Sequence, residues 1–295
     1  MFDNNYCKNT KTLTIPFDYC GELINIPYDV EKIIFSENDE KEETSQFNNK
    51  IGCMDCQNIN CPRNLPNTLK YLITGGCFNQ SVDNLPNSIT HLSLGTKVPI
   101  GEISEYLQQY YTMESFNQSV DNLPLNLTNL TFGDDFNQSV DNLPSNIKVL
   151  TFGISFNQPV NKLPLSILEL NFGYKFNQPV NNLPLSILEL NFGNKFNQSI
   201  ENLPLQIKKL SIGVNFNQSI DNLPTNINCI SFYSHYKYKN NLPLHIEYLI
   251  INFSKRKPKL NSSIDNININ VQKIKIKKQY IKYLTKIPYG CKIIN

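Results

Sequence analysis

Large apolar side chains recur along this chain with a period far longer than a helix turn. In the stretch FNQPVNNLPLSILELNFGNK, which begins at Phe176, they are Phe176, Val180, Leu183, Ile187, Leu190 and Phe192. The pattern returns every 20 residues. Phe-Asn-Gln begins at 116, 136, 156, 176, 196 and 216, with an earlier copy at 78. The repeats 156–175 and 176–195 differ only at Lys162/Asn182 and Tyr174/Asn194, the mark of tandem duplication. A fixed period of this length predicts a stack of similar coils, each one supersecondary unit.

Within a repeat the apolar spacing closes to two at Leu190-x-Phe192. Ile187-x-x-Leu190-x-Phe192 is therefore predicted to be a short strand with alternate side chains buried. Gly193 follows, a residue that can leave the strand with positive φ at little steric cost. Pro184 cannot donate a hydrogen bond and biases Leu183 toward extended backbone, so the return arm is expected to be extended or a turn of 3-10 helix. The chain has no Ala and is rich in Asn, Ile, Phe and Pro, which argues against long helices. One repeat cannot bury six apolar side chains alone. Stacked in register about 4.8 Å apart, repeats form a parallel sheet with columns of Phe, Val and Leu behind it. The Asn after each Phe predicts an internal Asn ladder linking one coil to the next. The fold class expected is a repeat solenoid: a parallel β-sheet on one face, extended or short 3-10 return segments, and little α-helix.

Weaker copies carry the pattern toward both ends, so residues 1–295 are expected to form a single solenoid. Divergent repeats occupy 1–35, where Tyr19, Leu23, Ile26, Pro27, Val30, Ile33 and Phe35 keep the spacing. An acidic and Cys-rich insertion fills 36–64. Regular repeats run over 65–232, degenerate at 98–115. Divergent basic repeats and a cap make up 233–295, interrupted by the basic insertion Ser254–Pro258.

The runs Phe156-Asn157-Gln158-Pro159 and Phe176-Asn177-Gln178-Pro179, followed by Leu-Pro-x-x-Ile-x-x-Leu-x-Phe-Gly, resemble the FNIP repeat. The resemblance is specific over 78–232 and loose over most of the remainder. It implies a fold of the leucine-rich-repeat class, with Ile187-x-x-Leu190-x-Phe192 standing for L-x-x-L-x-L. Such repeats are typical of amoebae and the giant DNA viruses that infect them. Many relatives carry an F-box, which implies substrate recognition for a ubiquitin ligase. Here the first 35 residues read as strand and repeat and leave no room for one.

Composition and charge narrow the chemistry. Charged residues make up 18% of the chain and the net charge is +2. The distribution is uneven: residues 1–63 hold six basic and eleven acidic side chains, while 250–295 hold eleven basic ones against Asp265. The basic end makes a nucleic-acid or acidic-surface binder the alternative function. Arg63 and Arg256 are the sole arginines, which argues against nucleic acid, since bidentate base readout prefers Arg. No apolar N-terminal segment or membrane-length run is present, so a cytoplasmic protein is expected, in the host cytoplasm if the source is viral.

Enzyme chemistry finds no constellation. His91, His235 and His245 fall at different repeat positions without an evident Ser, Cys or Asp partner. Glu169 and Glu189 share a column, but duplication explains the pair better than acid–base work. Cys53, Cys56 and Cys61 have a metal-like spacing, with Cys77 or Cys20 as a fourth ligand, but no second C-x-x-C pair and no nearby His accompany them, so reduced thiols are expected. No catalytic residue, cofactor or metal is therefore assigned. What remains is the exposed sheet face, where the x positions of I-x-x-L-x-F form columns. The candidate partner-binding residues are Val149, Leu168, Glu169, Leu188, Glu189, Lys208 and Lys209, with Lys273 and Lys275 nearer the C-terminus. The function expected is a non-catalytic scaffold that binds another protein through this face as a monomer.

Overall fold

Leu190 is fully buried between the half-exposed Glu189 and Asn191, and these three residues are all of the repeat that is strand. The expected strand is thus trimmed at both ends. Ile187 sits in a turn closed by its own N–H donating to the Pro184 carbonyl at 3.4 Å, and Phe192 follows the strand. The same turn closes at Ile207, Ile227 and Ile246, each N–H donating to the carbonyl of Pro204, Pro224 and Pro243. Proline suits that place, because its missing N–H is one the turn does not use.

The computed structural model describes residues 6–16, 26–36, 65–74, 78–95, 115–236, 242–253, 264 and 267–294. Its contacts divide into two units, Met1–Phe156 and Asn157–Asn295. In the first, β1 (Tyr6–Cys7) runs antiparallel to β2 (Thr12–Pro16), through a turn that ends at Lys11 in the left-handed region, φ 49°. From β2 onward every pairing is parallel and follows chain order: β3 (Lys32–Ser36), β4 (Tyr71–Ile73), β5 (His91–Leu94), β6 (Asn129–Phe132) and β7 (Val149–Thr151). In the second unit the parallel order is β8 (Glu169–Asn171), β9 (Glu189–Asn191), β10 (Lys209–Ser211), β11 (Cys229–Tyr233), β12 (Tyr248–Asn252), β13 (Lys273–Ile276) and β14 (Lys292–Ile294). Each unit is a parallel β-solenoid of the leucine-rich-repeat type. Among the described residues there is no α-helix, and one 3-10 helix, Lys278–Tyr283, bridges β13 and β14.

The six template positions fill the core: Phe176, Val180, Leu183, Ile187, Leu190 and Phe192 are all buried. The aromatics make two columns. Phe172 stacks on Phe176, and Phe192 on Phe196, with ring centroids 3.7 Å apart within each coil. Between coils the rings repeat at about 6 Å, 5.7 Å for Phe172–Phe192 and 6.0 Å for Phe176–Phe196. Tyr236 ends one column, donating its hydroxyl to the Gln218 carbonyl at 2.6 Å.

Two expectations about polar and small residues need correction. The Asn ladder exists, with the Asn197 N–H donating to Asn177 Oδ1 and the Asn217 N–H to Asn197 Oδ1, both at 2.8 Å. It is not internal. Asn177 is half-buried and Asn197 and Asn217 are exposed, so the ladder runs along an edge, where it ties successive bends together. Gly193 is also present for a different reason. Among the described glycines positive φ occurs at Gly95 and Gly290, but not at Gly193. A Cβ at Gly193 would run into the Gly173 carbonyl of the preceding coil, and one at Gly213 into that of Gly193. The glycine column marks where backbones of adjacent coils come closest.

Tyr19 and Leu23, the insertion at 37–64, the degenerate stretch 98–114 and the basic insertion Ser254–Pro258 lie outside the described residues.

Candidate partner-binding face

A strand of three residues with its centre buried leaves its first and third side chains outward, and parallel register lines these up across the second unit. Strand pairing places Glu169, Glu189 and Lys209 side by side, followed by Cys229, Tyr248 and Lys273. Beside them run Asn171, Asn191 and Ser211, then Ser231, Ile250 and Lys275. Leu168, Leu188 and Lys208 stand one residue before their strands. The Leu188 N–H donates to the Leu168 carbonyl and the Lys208 N–H to the Leu188 carbonyl, each at 2.8 Å, so these three are neighbours too. Eight of the nine candidate residues thus share one face of one unit. Val149 belongs to the first unit, outward on β7 and in register with Asn129 of β6.

The polar groups of this face are held by one another. Lys209 Nζ lies 2.8 Å from Glu189 Oε2, and that bond to the carboxylate raises the lysine pKa above its ordinary value. Asn171 donates Nδ2–H to Glu169 Oε1 at 2.8 Å, and Asn191 donates to Asn171 Oδ1 at 2.6 Å. Both carboxylates therefore have partners on the open sheet, where a surface ion pair adds little to stability but fixes side-chain positions. The apolar part is Leu168, 40% exposed, with the half-buried Leu188 next to it.

Sequence reasoning missed Tyr248 and Ile250, both half-buried, which join the acidic and amide end of the face to Lys273 and Lys275. Register pairs Cys229 with Tyr248 and Tyr248 with Lys273, offsets of 19 and 25 in place of 20, so a fixed period walks past them. The buried pair Leu249 and Ile251 marks this strand, and its outward neighbours Tyr248 and Ile250 are the positions that should have been carried onto the face.

The remaining candidate chemistry stays apart. His91 stacks on Tyr71 with centroids 4.4 Å apart and shares a 2.9 Å hydrogen bond with Thr90 Oγ1. His235 Nε2 meets the Val214 carbonyl at 2.6 Å, and His245 occupies a turn. Burial lowers the pKa of His91 and of His245, and raises that of the Cys229 thiol. Among the described residues no group of three or more His, Cys, Asp or Glu is placed to hold a metal ion. Cys53, Cys56 and Cys61 lie outside them. No helix among the described residues is long and apolar enough to cross a membrane.

The sequence profile of the FNIP Repeat family matches residues 61–97, 116–153 and 139–175. Among solved structures, one that is similar is CroV588, described as a novel circular leucine-rich-repeat protein: 28% identity, TM-score 0.57, covering 93% of this chain. The chain spans 41% of the length of that protein. YopM from Yersinia enterocolitica WA-314 is 14% identical with a TM-score of 0.47, covering 100% of this chain and 66% of its own. The leucine-rich repeat-containing protein LegL7 from Legionella pneumophila is 17% identical with a TM-score of 0.40, covering 68% and 78%. Among curated proteins nothing matches in sequence.

Proposed function

Starting from a chain that carries FNIP repeats in a solenoid of the leucine-rich-repeat type, we propose that it is a non-catalytic scaffold that binds another protein on the exposed sheet face of its second unit. The observation that carries this reading is the composition of that face. Leu168 and Leu188 stand on neighbouring coils beside a Glu189–Lys209 pair already bonded at 2.8 Å. A partner laid across them buries apolar surface and meets charges whose positions are set beforehand, so less ordering entropy is lost on binding. Solenoids present surfaces of this kind by construction.

Affinity capture with the whole chain as bait, compared with bait carrying Leu168→Ser and Leu188→Ser, tests the reading. The expected result is loss of specific binders from the double variant with an unchanged Tm, because neither side chain is core. Binders retained in full by the double variant would move the site elsewhere. Substrate recognition for a ubiquitin ligase is the finer form of the proposal and rests on the family resemblance alone. A cullin-type ligase subunit in the captured complex supports it.

A second reading has its own observation. Lys273, Lys275 and Lys292 are exposed, and Lys273 is in register with Lys292. This is a basic patch suited to an acidic surface. Binding that falls steeply with salt, and that is abolished by Lys273→Glu with Lys275→Glu while the leucine variant still binds, favours it.

A further inference from the structure

The coils that carry β13 and β14 collect positive charge that the fold leaves unanswered. Residues 267–294 hold seven lysines and no Arg, Asp or Glu. All seven are exposed, and among the described residues none of them makes an ion pair. Parallel register sets Lys273 directly beside Lys292, and Lys275 beside Ile294. Like charges facing each other on neighbouring strands repel and weaken a sheet. The preceding coil offers Glu247, but its backbone carbonyl accepts from the Gln272 N–H at 2.8 Å, which places it beside Gln272 and not beside a lysine. Apolar side chains stand among the lysines. Tyr289, in the turn before β14, is fully exposed, and Ile294 is 41% exposed on the strand itself. That turn stands clear of the other described residues: beyond its chain neighbours, no atom lies within 4 Å of where a Gly290 Cβ would be.

We propose that this face docks on an anionic lipid surface, its lysines against the headgroups and Tyr289 and Ile294 set into the boundary between headgroups and acyl chains. Such docking specifies the acidic surface of the basic-patch reading and rests on that reading. Charge complementarity calls for a polyanion, and three observations select a membrane among polyanions. The patch is built of lysine without arginine. Protein interfaces deplete lysine, and base readout prefers the arginine fork, because both need charge held in a fixed geometry. A lipid surface attracts through its summed potential, so each lysine near it contributes without a fixed partner. The apolar groups are of the right kind. Tyrosine is enriched where one end of a side chain is apolar and the other wet, and lysine stems lie over apolar surface while their amines reach outward. The shape also fits. Lys273, Lys275, Lys292 and Ile294 project from one face of two paired strands, a flat array for a flat surface. Leu168 and Leu188, on earlier coils, stay open to the protein partner.

Co-sedimentation of the full chain with vesicles of about 30% phosphatidylserine in phosphatidylcholine tests this. Vesicles of phosphatidylcholine alone, poly-glutamate and a single-stranded RNA homopolymer are the comparison ligands. The wild type is expected to sediment with the anionic vesicles, less so as salt rises, and not with the phosphatidylcholine ones. Lys273→Gln with Lys275→Gln should weaken that binding roughly 30-fold, since each lysine near an anionic surface contributes about a factor of five. Tyr289→Ser with Ile294→Ser should weaken it severalfold and leave its salt dependence unchanged. All four side chains are exposed, so neither variant should lower the Tm. Leu168→Ser with Leu188→Ser should bind the vesicles as the wild type does. A wild type that ignores the anionic vesicles but binds poly-glutamate or RNA overturns the membrane assignment and leaves the basic-patch reading standing. Binding to none of the three ends both. Vesicle binding that survives both patch variants in full also overturns the proposal.

Discussion

Leu123 and Leu125 stand two residues apart on either side of a proline, and they have opposite roles. Leu123 is 4% exposed and packs in the core, whereas Leu125 is 66% exposed. Leu123→Ala should therefore cost about 2–5 kcal/mol as a cavity in a packed interior, and Leu125→Ala less than about 0.5 kcal/mol. Denaturant unfolding of the two variants checks this, and equal losses would mean the coil register is wrong. The buried leucine was legible from the period, since it recurs with Phe, Val and Ile at fixed spacing. The exposed one was not, because apolar identity says nothing about side when the residue sits in a turn. The glycine column was legible as a requirement but not in its cause. A need for positive φ and a need to leave room for the backbone of the adjacent coil select the same residue. Only the placement of Gly193 against the Gly173 carbonyl separates them.

Successive coils are joined by more than strand pairing. Besides the Asn ladder, Glu31 clamps three coils of the first unit, with Lys11 Nζ and Lys70 Nζ each 2.8 Å from one of its carboxylate oxygens. The hydrogen bonds from Lys11 and Lys70 pull the Glu31 carboxyl down to about 2. An unfolded Glu titrates near 4.3, so the folded state holds this proton more weakly. The stabilisation is complete above the unfolded value and is lost as pH falls through the folded one. The stability difference between wild type and Glu31→Gln should therefore be flat near neutral pH and shrink between about pH 5 and pH 2. A difference that stays constant across that range would show that the clamp contributes nothing. At this scale the strand, the proline turn and the ladder were legible in one 20-residue repeat. The register of β13 was legible as well, since Lys273 and Lys275 were placed on the face where the strand pairing puts them. The outward residues Tyr248 and Ile250 of β12 were not picked out, because offsets of 19 and 25 break the 20-residue period there.

For the whole molecule, the consequence of repeats is a division of labour between surfaces. Buried columns hold each unit together and need only the period, so they were readable from sequence. In the second unit the sheet face lies outside that constraint. Its residues are free to serve partners, and their function had to be argued from what the fold places side by side. The sheet face is assigned to a different protein. Hydroxyl-radical footprinting of the full chain, alone and with its captured partner, tests that assignment most directly. The account predicts that Leu168, Leu188 and Tyr248 lose labelling when the partner binds, while Leu125, on the first unit, labels equally in both states. Unchanged labelling at Leu168 and Leu188 in a complex that has demonstrably formed would contradict it.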